Sequence, residues 1–325
     1  MPTLQIREAI RDAIREEMLR DPSVILLGEE VGEYDGAYKC SRGLLKEFGP
    51  TRVIDTPICE NGFAGLGIGM AFLGLRPIVE FMTYNFSLIA IDQIINTAAK
   101  ARLMSGGQLK CPIVFRGAGG AARFLAAQHS NSFEHWYAYT PGLYVVAPST
   151  PHDMKGLLKT AIRDDNPICF FESELTYSLR GEVPEEEYLI PLGQADIKKQ
   201  GKDLTLISWS KNVHLALKVA EEADKMNIDA EVIDLRSLRP LDTEAIYNSV
   251  KKTNRVVVIQ EQHEVASFGS YVAFLVQRDC FDYLDAPVEV VSSLEVPMPY
   301  SGVLEEIVFP SVPRCLEAVK KVCYL

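Results

Sequence analysis

The sequence predicts an α/β protein of two doubly wound domains, each a mostly parallel sheet covered by helices. Three observations carry this. The chain has 325 residues, more than one core usually supports. Short apolar runs without polar alternation recur along it, as in strands buried on both faces. Stretches of helical periodicity separate several of these runs, which is the rhythm of parallel βαβ units.

Taken in order, Met1 to Arg20 carries Leu4, Ile6, Ala9, Ile10, Ala13, Ile14 and Met18 at helical spacing, and Asp21-Pro22 ends that helix. Strands are predicted at Val24 to Leu27, Arg52 to Asp55, Pro77 to Phe81, Pro112 to Phe115, Leu143 to Ala147 and Ile168 to Phe171. Helices are predicted at Gly62 to Leu73, Leu88 to Met104 and Asp153 to Ile162. From Leu179 to Gly193 the chain turns polar and irregular, which places a domain boundary there. The domains are then 1–185 and 193–325. In the second, strands are expected at Leu204 to Ser208, Ala230 to Asp234, Val256 to Gln260 and Val288 to Val291. Helices fall at Val213 to Lys225, Thr243 to Lys251 and Ser270 to Arg278.

Composition excludes several classes of function. A hydrophobic fraction of 47% and a charged fraction of 24% describe an ordinary folded chain. A formal charge of −11 repels phosphate backbones and anionic lipid, so nucleic acid and membrane are not expected partners. No run of apolar residues is long enough to span a bilayer. Seven widely spaced cysteines without a C-x-x-C pair fit a reducing compartment, and a cytoplasmic location is expected. The five histidines show no zinc-ligand spacing.

The glycines Gly62, Gly65, Gly67 and Gly69 suggest a dinucleotide fingerprint, but the spacing fails, because Met70 stands where the third glycine belongs. They read instead as small residues that let a neighbouring helix or a flat ring approach. Glu60 precedes that helix. It is either an acid favoured by the helix dipole or a carboxylate in an apolar surround of Ile58, Phe63, Phe81 and Met82, able to share a proton with a ring nitrogen. His129 lies among small and polar residues after the loop Gly117 to Gly120, as a proton donor facing a cleft would, or as an exposed histidine with no role. Asp164-Asp165-Asn166-Pro167 ends a helix whose last carbonyls could hold a cation or merely turn the chain.

A set of segments in order resembles the β subunits of thiamine-diphosphate-dependent 2-oxo acid dehydrogenases of the pyruvate dehydrogenase type. They are Leu27-Gly28-Glu29-Glu30-Val31, Tyr34 to Lys39, Asp55 to Gly65, Glu80 to Phe86, Ala126-Ala127-Gln128-His129-Ser130 and Val296 to Tyr300. The resemblance runs over nearly the whole chain.

It implies a thiamine pyrimidine-binding domain followed by a transketolase-like C-terminal domain. By the same resemblance Glu60 hydrogen-bonds the aminopyrimidine ring, Glu29, Ile58, Met82 and Phe86 surround the cofactor, and His129 assists acyl transfer to a lipoyl arm. Potassium is implied at Ile113, Ala161, Ile162, Asp164 and Asn166. The family's Gly-Asp-Gly motif with paired asparagines, which holds diphosphate and magnesium, is not in this sequence. An α subunit is therefore implied, in a heterotetramer of two α and two β chains, with a lipoyl acyltransferase core docking near Asp285. Glu134-His135-Trp136-Tyr137-Ala138 resembles pyruvate enzymes more than branched-chain ones, whereas Arg123-Phe124, within Gly119 to Leu125, replaces the small residues of relatives. Branched-chain and acetoin enzymes stand as alternatives within the family. A non-catalytic flavodoxin-like or assembly subunit, or a nicotinamide dehydrogenase, stands outside it.

Overall fold

The computed structural model describes residues 1–121 and 123–325, so that Ala122, in the stretch Gly119 to Leu125, lies outside the described residues. The chain divides into two compact units. One comprises residues 1–119 and 136–192, the other 120–135 and 193–325.

Six strands of the first unit lie parallel, in the order Tyr144–Val146, Ile168–Ser173, Val114–Gly119, Arg76–Glu80, Val24–Gly28, Val53–Asp55. Every residue of Val24–Gly28, Val114–Gly119 and Ile168–Ser173 is buried, which is why their apolar stretches show no polar alternation. Successive residues of Arg76–Glu80 serve opposite faces. Ile78 joins a core with Ile10, Ile14 and Met18 of helix Ile6–Arg20 and Met154, Leu157 and Leu158 of helix Pro151–Arg163. Val79 faces helix Glu60–Phe72, where a Cβ on Gly67 would stand 2.7 Å from Val79 Cγ2 and 3.2 Å from Ile113 Cδ1. Gly67 thus lets that helix lie against the sheet, the packing role expected of the glycine series.

The first helix begins at Ile6 rather than Met1, because Thr3–Gln5 pairs antiparallel with Arg180–Glu182. Neither strand is fully buried, so neither carries an apolar pattern, and the tract after Leu179 reads as wholly irregular. The helix expected at Leu88 to Met104 changes pitch along its length. It is 3₁₀ over Tyr84–Ala90, started by Thr83 Oγ1 accepting from Asn85 N, then π over Gln93–Ala98 and α over Ala99–Met104. Gly117 to Gly120 is not an exposed loop. Gly117 and Gly119 belong to a buried strand, where a Cβ on Gly117 would meet Phe81 O at 2.6 Å and one on Gly119 would press on the Phe171 ring.

The second unit has a five-stranded sheet in the order Glu289–Val291, Val256–Ile259, Leu204–Ser208, Ala230–Asp234, Asp196–Lys199. The first four are parallel, and Asp196–Lys199 runs antiparallel at the edge. Leu204 and Leu206 pack with Ala216, Val219 and Val319 from helices Asn212–Asp224 and Val312–Cys323. Thr205 points the other way and hydrogen-bonds Ser249 at 2.7 Å and Thr253 at 2.6 Å on helix Thr243–Thr253. Helices therefore cover both faces, as the sequence predicts.

Candidate active site

In an open parallel sheet the carboxyl ends of the strands are where ligand-binding groups gather. In the first unit Glu29 follows Val24–Gly28, Met82 follows Arg76–Glu80, and Glu60 opens the helix reached from Val53–Asp55. The strand ends approach closely at Gly28, where a Cβ would stand 2.2 Å from Glu80 O. Asp55 accepts hydrogen bonds from Gly32 N at 2.6 Å and Glu33 N at 2.9 Å, which ties the segment after Glu29 to the one before Glu60.

Glu29 and Glu60 are each 3% exposed. Glu29 Oε2 accepts from Met82 N at 2.9 Å. Burial foremost, with the charge and hydrogen bond of Glu60 and the charge of Glu80, raises the Glu29 carboxyl to about 7 against the pull of that N–H. A buried carboxyl raised to about 7, as Glu29 is, can bind or release a proton near neutral pH beside Glu60. In the same unit Phe63, three residues after Glu60, packs with Phe81 at a ring-centroid distance of 5.5 Å, and Phe115 and Tyr84 continue this aromatic floor. Ile58 departs from the enclosing role expected of it within this chain: it is 78% exposed, an apolar side chain on the outside beside a buried acid pair. Met82 and Phe86 are half-buried.

A second group of charges lies in the same sheet. Arg116 is 1% exposed and donates from Nε and Nη2 to both oxygens of Glu172 at 2.6 Å, and from Nη1 to Glu80. Tyr177 Oη donates to Glu172 at 2.7 Å. Burial pushes the Glu80 carboxyl up. The sequence reading missed this network. Its signal was present as Glu80, Arg116 and Glu172, opposite charges inside apolar runs on neighbouring strands.

The helix-end residues are placed as follows. Ile113, Ala161 and Ile162 are buried, and Asp164 Oδ1 accepts from the backbone N and the Nδ2 of Asn166 at 2.8 Å. Arg76 Nη1 donates to the carbonyls of Ile162 at 3.1 Å and Asp164 at 2.9 Å. Carbonyl oxygens have a second lone pair, so they could still ligate a cation there.

His129 belongs to the second unit, in the short 3₁₀ turn Ala127–His129 of segment 120–135, and is half-buried. Near the end of the same segment, Glu134, named in the sequence only within the stretch Glu134 to Ala138, accepts from Gln262 Nε2 at 2.9 Å, a partner 128 residues away. Burial pushes Glu134 up to about 7 from an ordinary 4.5. Its folded pKa exceeds its unfolded one, so its contribution to stability is complete below about 4.5 and is lost as pH rises through 7. Glu134→Gln carries no charge and escapes that loss. It is expected to gain roughly 1–3 kcal/mol relative to the parent between pH 5 and pH 8. Thermal unfolding at both pH values checks this, and a difference that does not change with pH would refute it.

Residues 2–179 match the family described as "Transketolase, pyrimidine binding domain", and residues 193–315 match "Transketolase, C-terminal domain". A protein of Rickettsia conorii named "Pyruvate dehydrogenase E1 component subunit beta" is 56% identical over 321 residues, covering 99% of this chain and 98% of that protein. One of the same name from Rhizobium meliloti is 52% identical over 325 residues, covering 100% of this chain and 71% of its own. The chain belongs to the family of pyruvate dehydrogenase E1 component β subunits. A solved structure described as "Split gene transketolase, inactive beta4 tetramer" shares the fold, with a TM-score of 0.79 at 21% identity over 99% of both chains.

In this β-subunit chain the buried pair Glu29–Glu60 and the aromatic floor fall within the pyrimidine-binding match. So does His129, although the compact units group its segment with the second. Among the described residues no helix is long and apolar enough to cross a membrane. All seven cysteines are free.

Proposed function

We propose that this chain is the β subunit of a thiamine-diphosphate-dependent pyruvate dehydrogenase. With an α subunit, in a heterotetramer of two α and two β chains, it oxidatively decarboxylates pyruvate and passes the acetyl group to a lipoyl domain. The observation that carries this is the buried Glu29–Glu60 pair, with Glu29 pushed up to about 7. An aminopyrimidine presents a ring nitrogen that a carboxyl group in a dry site can hydrogen-bond, and Glu60 is buried there beside Glu29.

When bound, thiamine diphosphate supplies the electron sink for decarboxylation. Glu60 would hold and move a proton at the ring nitrogen, with Glu29 beside it anchored on Met82 N. Ile58, Met82 and Phe86 would line the ring and exclude water, His129 would hold a proton during acyl transfer, and the α subunit would supply the diphosphate and magnesium ligands. The exposed Ile58 is the side chain that such a ligand or partner would cover.

Residues 1–185 serve as the pyrimidine-binding domain and 193–325 as the transketolase-like domain. Potassium is held at Ile113, Ala161, Ile162, Asp164 and Asn166. The acyltransferase core docks near Asp285, an exposed side chain paired with Arg255 at 3.2 Å. Seven free cysteines fit a cytoplasmic site of action.

The test is co-expression with a candidate α subunit and assay with pyruvate, branched 2-oxo acids and acetoin. Pyruvate turnover by the assembled enzyme, and none by the isolated chain, is expected. Preference for a branched acid or acetoin would reassign the substrate, and turnover by the chain alone would overturn the shared site.

A further inference from the structure

The segment 120–135 that carries His129 is held by acidic and amide side chains of the second unit at its entry, middle and exit. At the entry Gly120 N donates to Asn131 O at 2.9 Å, closing the base of the segment. Ala121 N donates to Glu261 Oε1 at 2.6 Å, and the same oxygen takes Lys211 Nζ at 2.7 Å. Gly120, at φ +73°, lies so close to this carboxylate that a Cβ there would stand 2.6 Å from Glu261 Oε2. In the middle Phe124 N donates to Glu305 Oε2 at 3.2 Å, and the Phe124 ring rests over Gly302. At the exit Gln262 donates to Glu134 at 2.9 Å.

Such clamping is needed because Phe124 and Ala126 both have φ of +65°, a left-handed conformation that side chains rarely adopt unless the surroundings enforce it. The Ala126 carbonyl accepts from His129 N at 3.2 Å, so its conformation sets the turn that carries His129. Carboxylates accepting backbone N–H groups make charge-assisted hydrogen bonds, stronger than neutral ones.

We propose that Glu261 and Glu305 are positioning residues for acetyl transfer, which fix the His129 turn by gripping the backbone at Ala121 and Phe124. This rests on the role given to His129 above. Phe124 then serves to seat the segment, offering both a gripped N–H and a ring packed over Gly302.

In the assembled enzyme two partial reactions separate positioning from general damage: decarboxylation read with an artificial dye acceptor, and acetylation of a lipoyl domain. His129→Ala sets the pattern for loss of transfer alone. Glu261→Ala and Glu305→Ala are expected to lower acetyl transfer about tenfold or more while dye-linked decarboxylation stays within about threefold. Glu261→Gln should recover most of the transfer, since its amide oxygen still accepts from Ala121 N, and His129→Ala with Glu261→Ala should be no worse than His129→Ala alone. If His129→Ala shows the split but both glutamate variants transfer at the parent rate, the clamp is wrong and the histidine stands. If both reactions fall together in the alanine variants and Glu261→Gln rescues neither, the role is structural only. If His129→Ala leaves transfer unchanged, the histidine's role falls and the positioning claim with it.

Discussion

Replacing Glu60 by Gln or Ala is expected to lower pyruvate turnover of the assembled enzyme by roughly 10²–10⁴-fold, the range over which a positioned acid or base contributes. The subunits should still assemble. Glu60 is the first residue of helix Glu60–Phe72, where alanine is well tolerated, and loss of an acid at the dipole's positive end costs only about 0.3–1 kcal/mol. A second consequence distinguishes electrostatic coupling of the two acids from a simple contact. The charge and hydrogen bond of Glu60 both help raise Glu29 to about 7, so Glu60→Gln should lower the Glu29 pKa, leaving burial as the main upward push. The acidic limb of any residual pH–rate profile should then move to lower pH. Turnover within about twofold of the parent would remove Glu60 from the chemistry and leave the scaffold reading, in which this subunit only assembles.

The fold was legible where burial leaves a periodic trace. Leu204–Ser208 and Ala230–Asp234 appear with the bounds read from sequence, because strands covered on both faces are apolar throughout. What failed was structure made by partners distant in the chain. Thr3–Gln5 is a strand only because Arg180–Glu182 lies beside it, and neither segment is apolar enough to show this alone. Helices Gly302–Val308 and Val312–Cys323 went unassigned. The first exposes Val303, Leu304 and Ile307, so its apolar residues do not sort into one buried stripe.

The site was legible unevenly for the same reason. Glu60 could be singled out locally, from an acid set at a helix start among apolar neighbours. Glu29, 31 positions earlier in the sequence, has no local signal and entered only by resemblance, yet the parallel register Gly28↔Asp55 sets the two strand ends side by side. Glu261 and Glu305 are further removed: nothing near them announces that they grip the backbone of residues 121 and 124.

Arg116 supplies the largest expected effect on stability. It bridges two carboxylates on the strands flanking its own, through register pairs Glu80↔Arg116 and Ala118↔Glu172. Arg116→Met removes the cation and leaves both acids buried, and breaking a buried pair in this way costs about 3–5 kcal/mol. The sign of the pH dependence follows. Burial already pushes Glu80 above its ordinary range while the guanidinium pulls it down, so losing Arg116 raises it further. A carboxyl raised in the folded state stabilises fully below its unfolded pKa and loses that contribution as pH rises. The variant should therefore be least stable at pH 8 and recover part of the loss near pH 5. Changing Glu80 and Glu172 to Gln as well should restore most of it, since no buried charge is then uncompensated. Because Glu80 is followed directly by Phe81 and Met82, whose N–H anchors Glu29, turnover should fall in Arg116→Met even at temperatures where the protein stays folded. Unfolding followed at both pH values for the single and triple variants checks the account. A loss below about 1 kcal/mol that is indifferent to pH would mean the strands, and not this ion network, hold the floor of the site in place.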